Sequence, residues 1–121
     1  MNDYRCVTSA EGIREYIGSA DIVAFDYETA PDDPYRSEDR AALDPHRAHI
    51  AGCSYSVRPG TGIYVPVAHR AGVNIDRDEF LAFQMALVTD TKITKVCHNI
   101  AFESAFTYHL GTVIQPPVYD T

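Results

Sequence analysis

A continuously apolar run, Ile22-Val23-Ala24-Phe25, ends in the acidic triplet Asp26-Tyr27-Glu28, and no other stretch of this chain restricts its fold as much. Unbroken apolar character over so short a run is the pattern of a strand covered on both faces, and such a strand is usually central in its sheet. Further along, the strand-like Ile93-Thr94-Lys95-Val96-Cys97 leads into His98-Asn99-Ile100-Ala101-Phe102-Glu103. If the two strands are parallel neighbours, the carboxylates of Asp26, Glu28 and Glu103 converge at one edge of a sheet. Acids held that close repel, and a divalent cation relieves them.

The other segments supply a sheet for that strand to sit in. Thr8-Ser9-Ala10-Glu11 has the form of a capping box, Ile13, Tyr16 and Ile17 follow at helical spacing, and Gly18 is placed to stop the helix. Residues 29–46 are rich in Pro, Asp, Glu and Arg and read as a long excursion with one helical turn around Ala41 and Ala42. Ile50 to Val57 and Ile63 to Val67 read as a hairpin around Arg58-Pro59-Gly60-Thr61-Gly62, with Pro66 pushing the second strand to the sheet edge. A helix opens at Asn74-Ile75-Asp76 and runs through Leu87, and another runs from near Asn99 to Gly111. Val118 starts a fifth strand. A right-handed crossover through the helix after the hairpin places the fourth strand beside the first. The expected fold is α/β: a mixed sheet of order 3-2-1-4-5 with strand 2 antiparallel and helices on both faces, the ribonuclease H-like arrangement.

The chain has 121 residues, 45% of them hydrophobic, enough for a single domain with a real core. Its net charge of −7 argues against tight autonomous binding to nucleic acid, which relies on Lys and Arg at the phosphates. It leaves room for a nucleic-acid enzyme whose site is built of acids and whose metals supply positive charge. Cys6, Cys53 and Cys97 are odd in number and lack zinc-like spacing, so neither a disulfide framework nor a structural zinc is indicated. No signal peptide precedes residue 20 and no apolar run approaches a membrane span, so a cytoplasmic location without a membrane partner is expected.

Residues i and i+2 of a strand share a face, so Asp26 and Glu28 point one way and Tyr27 the other. Asn99 and Glu103 are four apart at the start of a helix and are expected to share its face toward the same crevice. Carboxylates suit hard cations such as Mg²⁺ and Mn²⁺. Two such ions about 3.5–4 Å apart activate water and stabilise a leaving oxygen in an in-line displacement. Asp26 is the natural bridging ligand, and Glu28 completes the more water-activating site. No nucleophile elbow, P-loop or dinucleotide fingerprint is present.

These residues resemble a known family. Asp26-Tyr27-Glu28-Thr29 is similar to the first motif, D-x-E-T, of the DEDD (DnaQ-like) 3′–5′ exonucleases. Ile50 to Gly60 and Ile63-Tyr64-Val65-Pro66-Val67-Ala68-His69 resemble the hairpin of the proofreading domain in family A (polymerase I-like) DNA polymerases. His98-Asn99-Ile100-Ala101-Phe102-Glu103 resembles the second motif, and Val118-Tyr119-Asp120-Thr121 the segment before the family's later helices. The resemblance implies two-metal hydrolysis of phosphodiester bonds at DNA 3′ ends, with Mg²⁺ or Mn²⁺ on Asp26, Glu28 and Glu103. It nominates Thr29, Asn99, Phe102 and His98 beside the terminal nucleotide, and a polymerase domain of the same parent chain as partner.

Two departures qualify it. Glu103 stands where the family has Asp. The third motif, Tyr-x-x-x-Asp or His-x-x-x-Asp on a later helix, is not reached by this chain, and Asp120 does not replace it because Pro116 and Pro117 forbid a helix there. Residues 1–121 are thus expected to be a C-terminally truncated exonuclease-like domain, weak or inactive alone, with a homodimer through the truncated edge as one outcome. The alternative is a non-catalytic module kept for polymerase architecture or single-strand binding.

Overall fold

The computed structural model describes residues 3–121. Six strands and three helices follow in the order β1 (Asp3–Cys6), α1 (Ala10–Ile17), β2 (Ile22–Pro31), β3 (Ala48–Ser56), β4 (Thr61–Pro66), α2 (Arg77–Thr89), β5 (Thr94–Cys97), α3 (Ile100–His109) and β6 (Val118–Asp120). The sheet order is β1-β4-β3-β2-β5-β6, with β3 antiparallel to β2 and β4, and β5 parallel to β2 and β6. The expected 3-2-1-4-5 order is therefore present, as β4-β3-β2-β5-β6. One strand lies outside it. β1 pairs parallel to β4 over Thr61 to Tyr64, so β4 is an inner strand and Pro66 does not make it an edge. The missing donor of Pro66 costs no ladder bond because it lies past the residues that β1 engages.

Local chemistry accounts for the helix ends. Ser9, and not Thr8, caps α1: its hydroxyl accepts from the Gly12 N–H, so the cap stands one residue later than the capping-box pattern suggests. Asp76 caps α2 by accepting from the Glu79 N–H. Gly111 has a left-handed φ of 104° just past α3, a backbone state that costs glycine little.

All three helices pack on the sheet face that carries Phe25, Tyr27, Cys53, Tyr55, Ile63 and Val65. Buried polar bonds tie them down: Tyr55 donates to Gln84 of α2 (2.6 Å), Gln84 donates to the Tyr27 hydroxyl (2.9 Å), and that hydroxyl meets Thr107 of α3 (2.8 Å). Ile13 and Ile17 bring α1 into the same core. The expectation of helices on both faces is corrected. Along β2, Ile22, Asp26 and Glu28 are exposed while Val23, Phe25 and Tyr27 are buried, so the apolar run covers only one face. Among the described residues, no helix is long and apolar enough to cross a membrane. All three cysteines are free, with Cys53 and Cys97 buried.

The 29–46 excursion is shorter than the sequence suggests. β2 continues through a register shift between Glu28 and Thr29 and pairs to Pro31↔Ala48. Two single 3-10 turns, Asp33–Tyr35 and Ala41–Leu43, fill the remaining loop, the second where one turn was expected.

Candidate active site

Pairing between β2 and β5 stops at Ala24↔Val96, and α3 then begins. Beyond that point β2 has backbone groups on the β5 side that no strand takes. Glu103 of α3 fills the gap. Its Oε2 accepts the Tyr27 N–H at 3.2 Å, in place of a longer β5. The side chain is fully buried, and its other oxygen, Oε1, has no hydrogen-bond partner. Burial and the neighbouring Asp26 carboxylate raise the Glu103 pKa above the ordinary carboxylate range, the Tyr27 N–H opposing them. An orphaned buried carboxylate oxygen is costly unless it is protonated or faces a cation.

Asp26 and Glu28 stand exposed on the open sheet face, with Tyr27 buried on the other, as the period of a strand requires. Asp26 thus has Glu103 on the β5 side. Glu28 is held on the β3 side, where its Oε2 accepts from the Tyr64 hydroxyl at 2.9 Å. The same hydroxyl lies 2.6 Å from His69 Nε2. Burial and the Glu28 carboxylate push the Tyr64 phenol far above its usual value, so it remains a donor.

The expected convergence of three acids is therefore only partial. Asp26 meets Glu103, but among the described residues no group of three His, Cys, Asp or Glu side chains is gathered as a metal site. What fits a hard cation is the carboxylate chemistry of Asp26, Glu28 and Glu103 together with the unpartnered Glu103 oxygen.

The four residues nominated as nucleotide contacts have varied local roles. Thr29 donates to the Ala42 carbonyl (2.6 Å) and so anchors the 3-10 turn of the loop. Asn99 lies just outside α3 in a left-handed conformation (φ 61°, ψ 66°) and makes no side-chain cap. It is exposed while Glu103 is buried, so helical spacing does not relate the two and the shared-face expectation is corrected. The first N–H of α3 is capped from elsewhere: Ile100 N donates to Asp120 Oδ1 at 3.1 Å. Phe102 is half-buried against Phe106, with ring centroids 5.0 Å apart. His98 is exposed, with Nδ1 3.1 Å from the Thr121 carbonyl oxygen. Asp26 and His98 both border a groove of about 770 Å³ across the helix-free face, which Tyr4, Tyr64 and Val96 also line.

Sequence reasoning singled out neither Tyr64 nor His69 as a site residue. The signal that could have found them is Gly52, an isolated glycine inside an apolar strand, which marks a close approach by another group. A Cβ there would lie 1.8 Å from the Tyr64 hydroxyl oxygen.

No family model matches the chain. DNA polymerase I of Pseudomonas aeruginosa is 29% identical over 127 residues, covering 98% of this chain and 13% of that protein. Among solved structures, Trypanosoma brucei RNase D in complex with RNA U12 superposes with a TM-score of 0.70 at 21% identity, covering 98% of this chain and 37% of that one. Brucella melitensis NrnC with bound Mg²⁺ gives a TM-score of 0.58 at 22% identity, covering 98% and 48%. The chain thus spans about an eighth of the curated relative and less than half of these solved chains. Sequence similarity to a polymerase I and backbone similarity to these nucleases agree: the chain has the ribonuclease H-like fold of the DEDD (DnaQ-like) exonucleases.

Proposed function

We propose that this chain is a metal-dependent 3′–5′ exonuclease module acting on single-stranded DNA ends, of the kind that serves a polymerase domain in the same parent protein. The observation that carries the reading is the juxtaposition of exposed Asp26, in the middle of β2 just past the end of its pairing with β5, with buried Glu103 and its unpartnered oxygen. Asp26, Glu28 and Glu103 would hold Mg²⁺ or Mn²⁺, which when bound supplies charge for the transferring phosphoryl group and lowers the pKa of water. The residues' own tasks are distinct. Asp26 offers its carboxylate between the two sides of the site, Glu103 closes the β5 side, and Glu28 presents a carboxylate oxygen on the β3 side. Asn99 and His98, both exposed, and the half-buried Phe102 would contact a terminal nucleotide.

The charge of −7 predicts weak capture of DNA, so digestion by the 121-residue chain is expected to be slow. A non-catalytic single-strand-binding or architectural module is the second reading, favoured by the incomplete gathering of the acids.

Thermal melts with and without Mn²⁺ and 3′-labelled DNA and RNA oligonucleotides test the two. A Mn²⁺-dependent rise in Tm, lost in Asp26→Asn, supports the metal site by mass action. Slow Mn²⁺-dependent shortening from the 3′ end, lost in the same variant, supports the enzyme. Oligonucleotide binding without any metal response would sink the catalytic reading in favour of the second.

A further inference from the structure

Glu28 is an exposed carboxylate on a strand, yet it is supported like a buried one. Tyr64 reaches it from β4, two strands away, with its ring lying across β3 at Gly52. Any side chain at position 52 would collide with that hydroxyl, since a Cβ would stand 1.8 Å from it. The hydroxyl has a single hydrogen, and the Glu28 carboxylate can only accept it. His69 Nε2, 2.6 Å from the same oxygen, must then bring a hydrogen of its own. The chain of donors runs from His69 to Tyr64 to Glu28. His69 is itself fixed through its backbone, where its N–H donates to Asn74 Oδ1 (2.8 Å) and its carbonyl accepts from Asn74 Nδ2 (2.9 Å). A surface hydrogen bond of no consequence would need neither a glycine beneath the ring nor a second donor behind it.

We propose that Tyr64, backed by His69, is a positioning residue for the metal site: it occupies Oε2 of Glu28 and leaves Oε1 as the ligand oxygen. The inference rests on the metal-site reading given under Proposed function. Groups that hydrogen-bond a ligating carboxylate orient it and fix which oxygen is offered, and their loss typically weakens metal binding about 10- to 100-fold.

The test is calorimetric titration of Mn²⁺ into the metal-free chain for wild type, Asp26→Asn, Tyr64→Phe, His69→Ala, His69→Gln, Glu28→Gln and the Tyr64→Phe/Glu28→Gln double variant. Tyr64→Phe is expected to weaken Mn²⁺ binding about tenfold, with the metal-free melt little changed. His69→Ala should weaken it less, and His69→Gln, which keeps a side-chain N–H donor, should recover part of that loss. In the Glu28→Gln background, Tyr64→Phe should have no further effect. Should Tyr64→Phe fail to fold, the two His69 variants carry the same comparison. Wild-type affinity in Tyr64→Phe, or an equal loss with and without Glu28, overturns the positioning role while leaving the metal site standing. Absence of binding by wild type, or binding undiminished in Asp26→Asn, removes the metal site and this inference with it.

Discussion

Glu103 concentrates the conflict at the residue scale. A carboxylate at this depth, with one oxygen held by the Tyr27 N–H and the other by nothing, is destabilised when charged. Its pKa is raised from 4.5 in the free side chain to about 7, chiefly by burial and secondly by Asp26, against the Tyr27 bond. The sign follows from linkage: a group whose folded pKa exceeds its unfolded one contributes stability that is complete below the unfolded value and lost as pH rises through the folded one. Metal-free protein should therefore lose stability between about pH 4.5 and 7 on this group's account. Glu103→Gln keeps an acceptor for Tyr27 and cannot ionise. It is expected to be more stable than wild type at pH 8 by about 1–3 kcal/mol, with little gain at pH 4. Denaturant unfolding in chelator at both pH values checks this; an equal difference at the two would show that ionisation is not the cause.

At the scale of elements, the helices are fastened to β2 by a buried polar chain, Tyr55–Gln84–Tyr27–Thr107, that crosses from β3 through α2 and β2 to α3. The face of Tyr27 is therefore specified by hydrogen bonding as well as by apolar burial, and with it the opposite orientation of Asp26 and Glu28. Tyr27→Phe leaves Gln84 and Thr107 with buried unpaired groups. A loss of about 1–3 kcal/mol is expected, measured by urea unfolding. A double variant with Thr107→Val should recover part of it, because removing both partners of that hydrogen bond is less costly than stranding one. The start of α3 shows the same dependence on distant chain. Asn99 is a good N-cap by type, yet its side chain caps nothing, and Asp120 of β6 caps the helix across the sheet.

The molecule as a whole is one-sided. Three helices cover one face of a six-stranded sheet, and the other face exposes Tyr4, Ile22 and Tyr119, of which Tyr4 lines the groove that Asp26 borders. Among the described residues, both outer strands, β1 and β6, have a neighbour on one side only. Apolar surface of this kind and open strand edges favour self-association. Light scattering over a range of concentrations should show an apparent mass that rises with concentration and that falls back when Ile22→Lys and Tyr119→Lys are combined. A strict monomer at high concentration would mean that the acidic surface, at −7, outweighs the exposed face.

Local chemistry is enough to place β2 through β6 and the three helices, because apolar period, caps and turn residues act within a few positions of one another. Strand order followed from the handedness of one crossover, and the alternation of Asp26, Tyr27 and Glu28 from the period of a strand. What composition along the chain could not convey is which groups meet across it. β1 has no apolar pattern to announce it, since all four of its residues are exposed, and it forms only because β4 offers an edge. The apolar run Ile22 to Phe25 looks the same whether one face or two are covered, and the single layer of helices is visible only once packed. The partners of the acids are likewise contacts between distant segments: Glu103 reaches back to β2, and Tyr64 crosses β3 over a glycine to reach Glu28. Side-chain type nominates a carboxylate, but burial and the donor beside it set its charge and direction, and both depend on the fold.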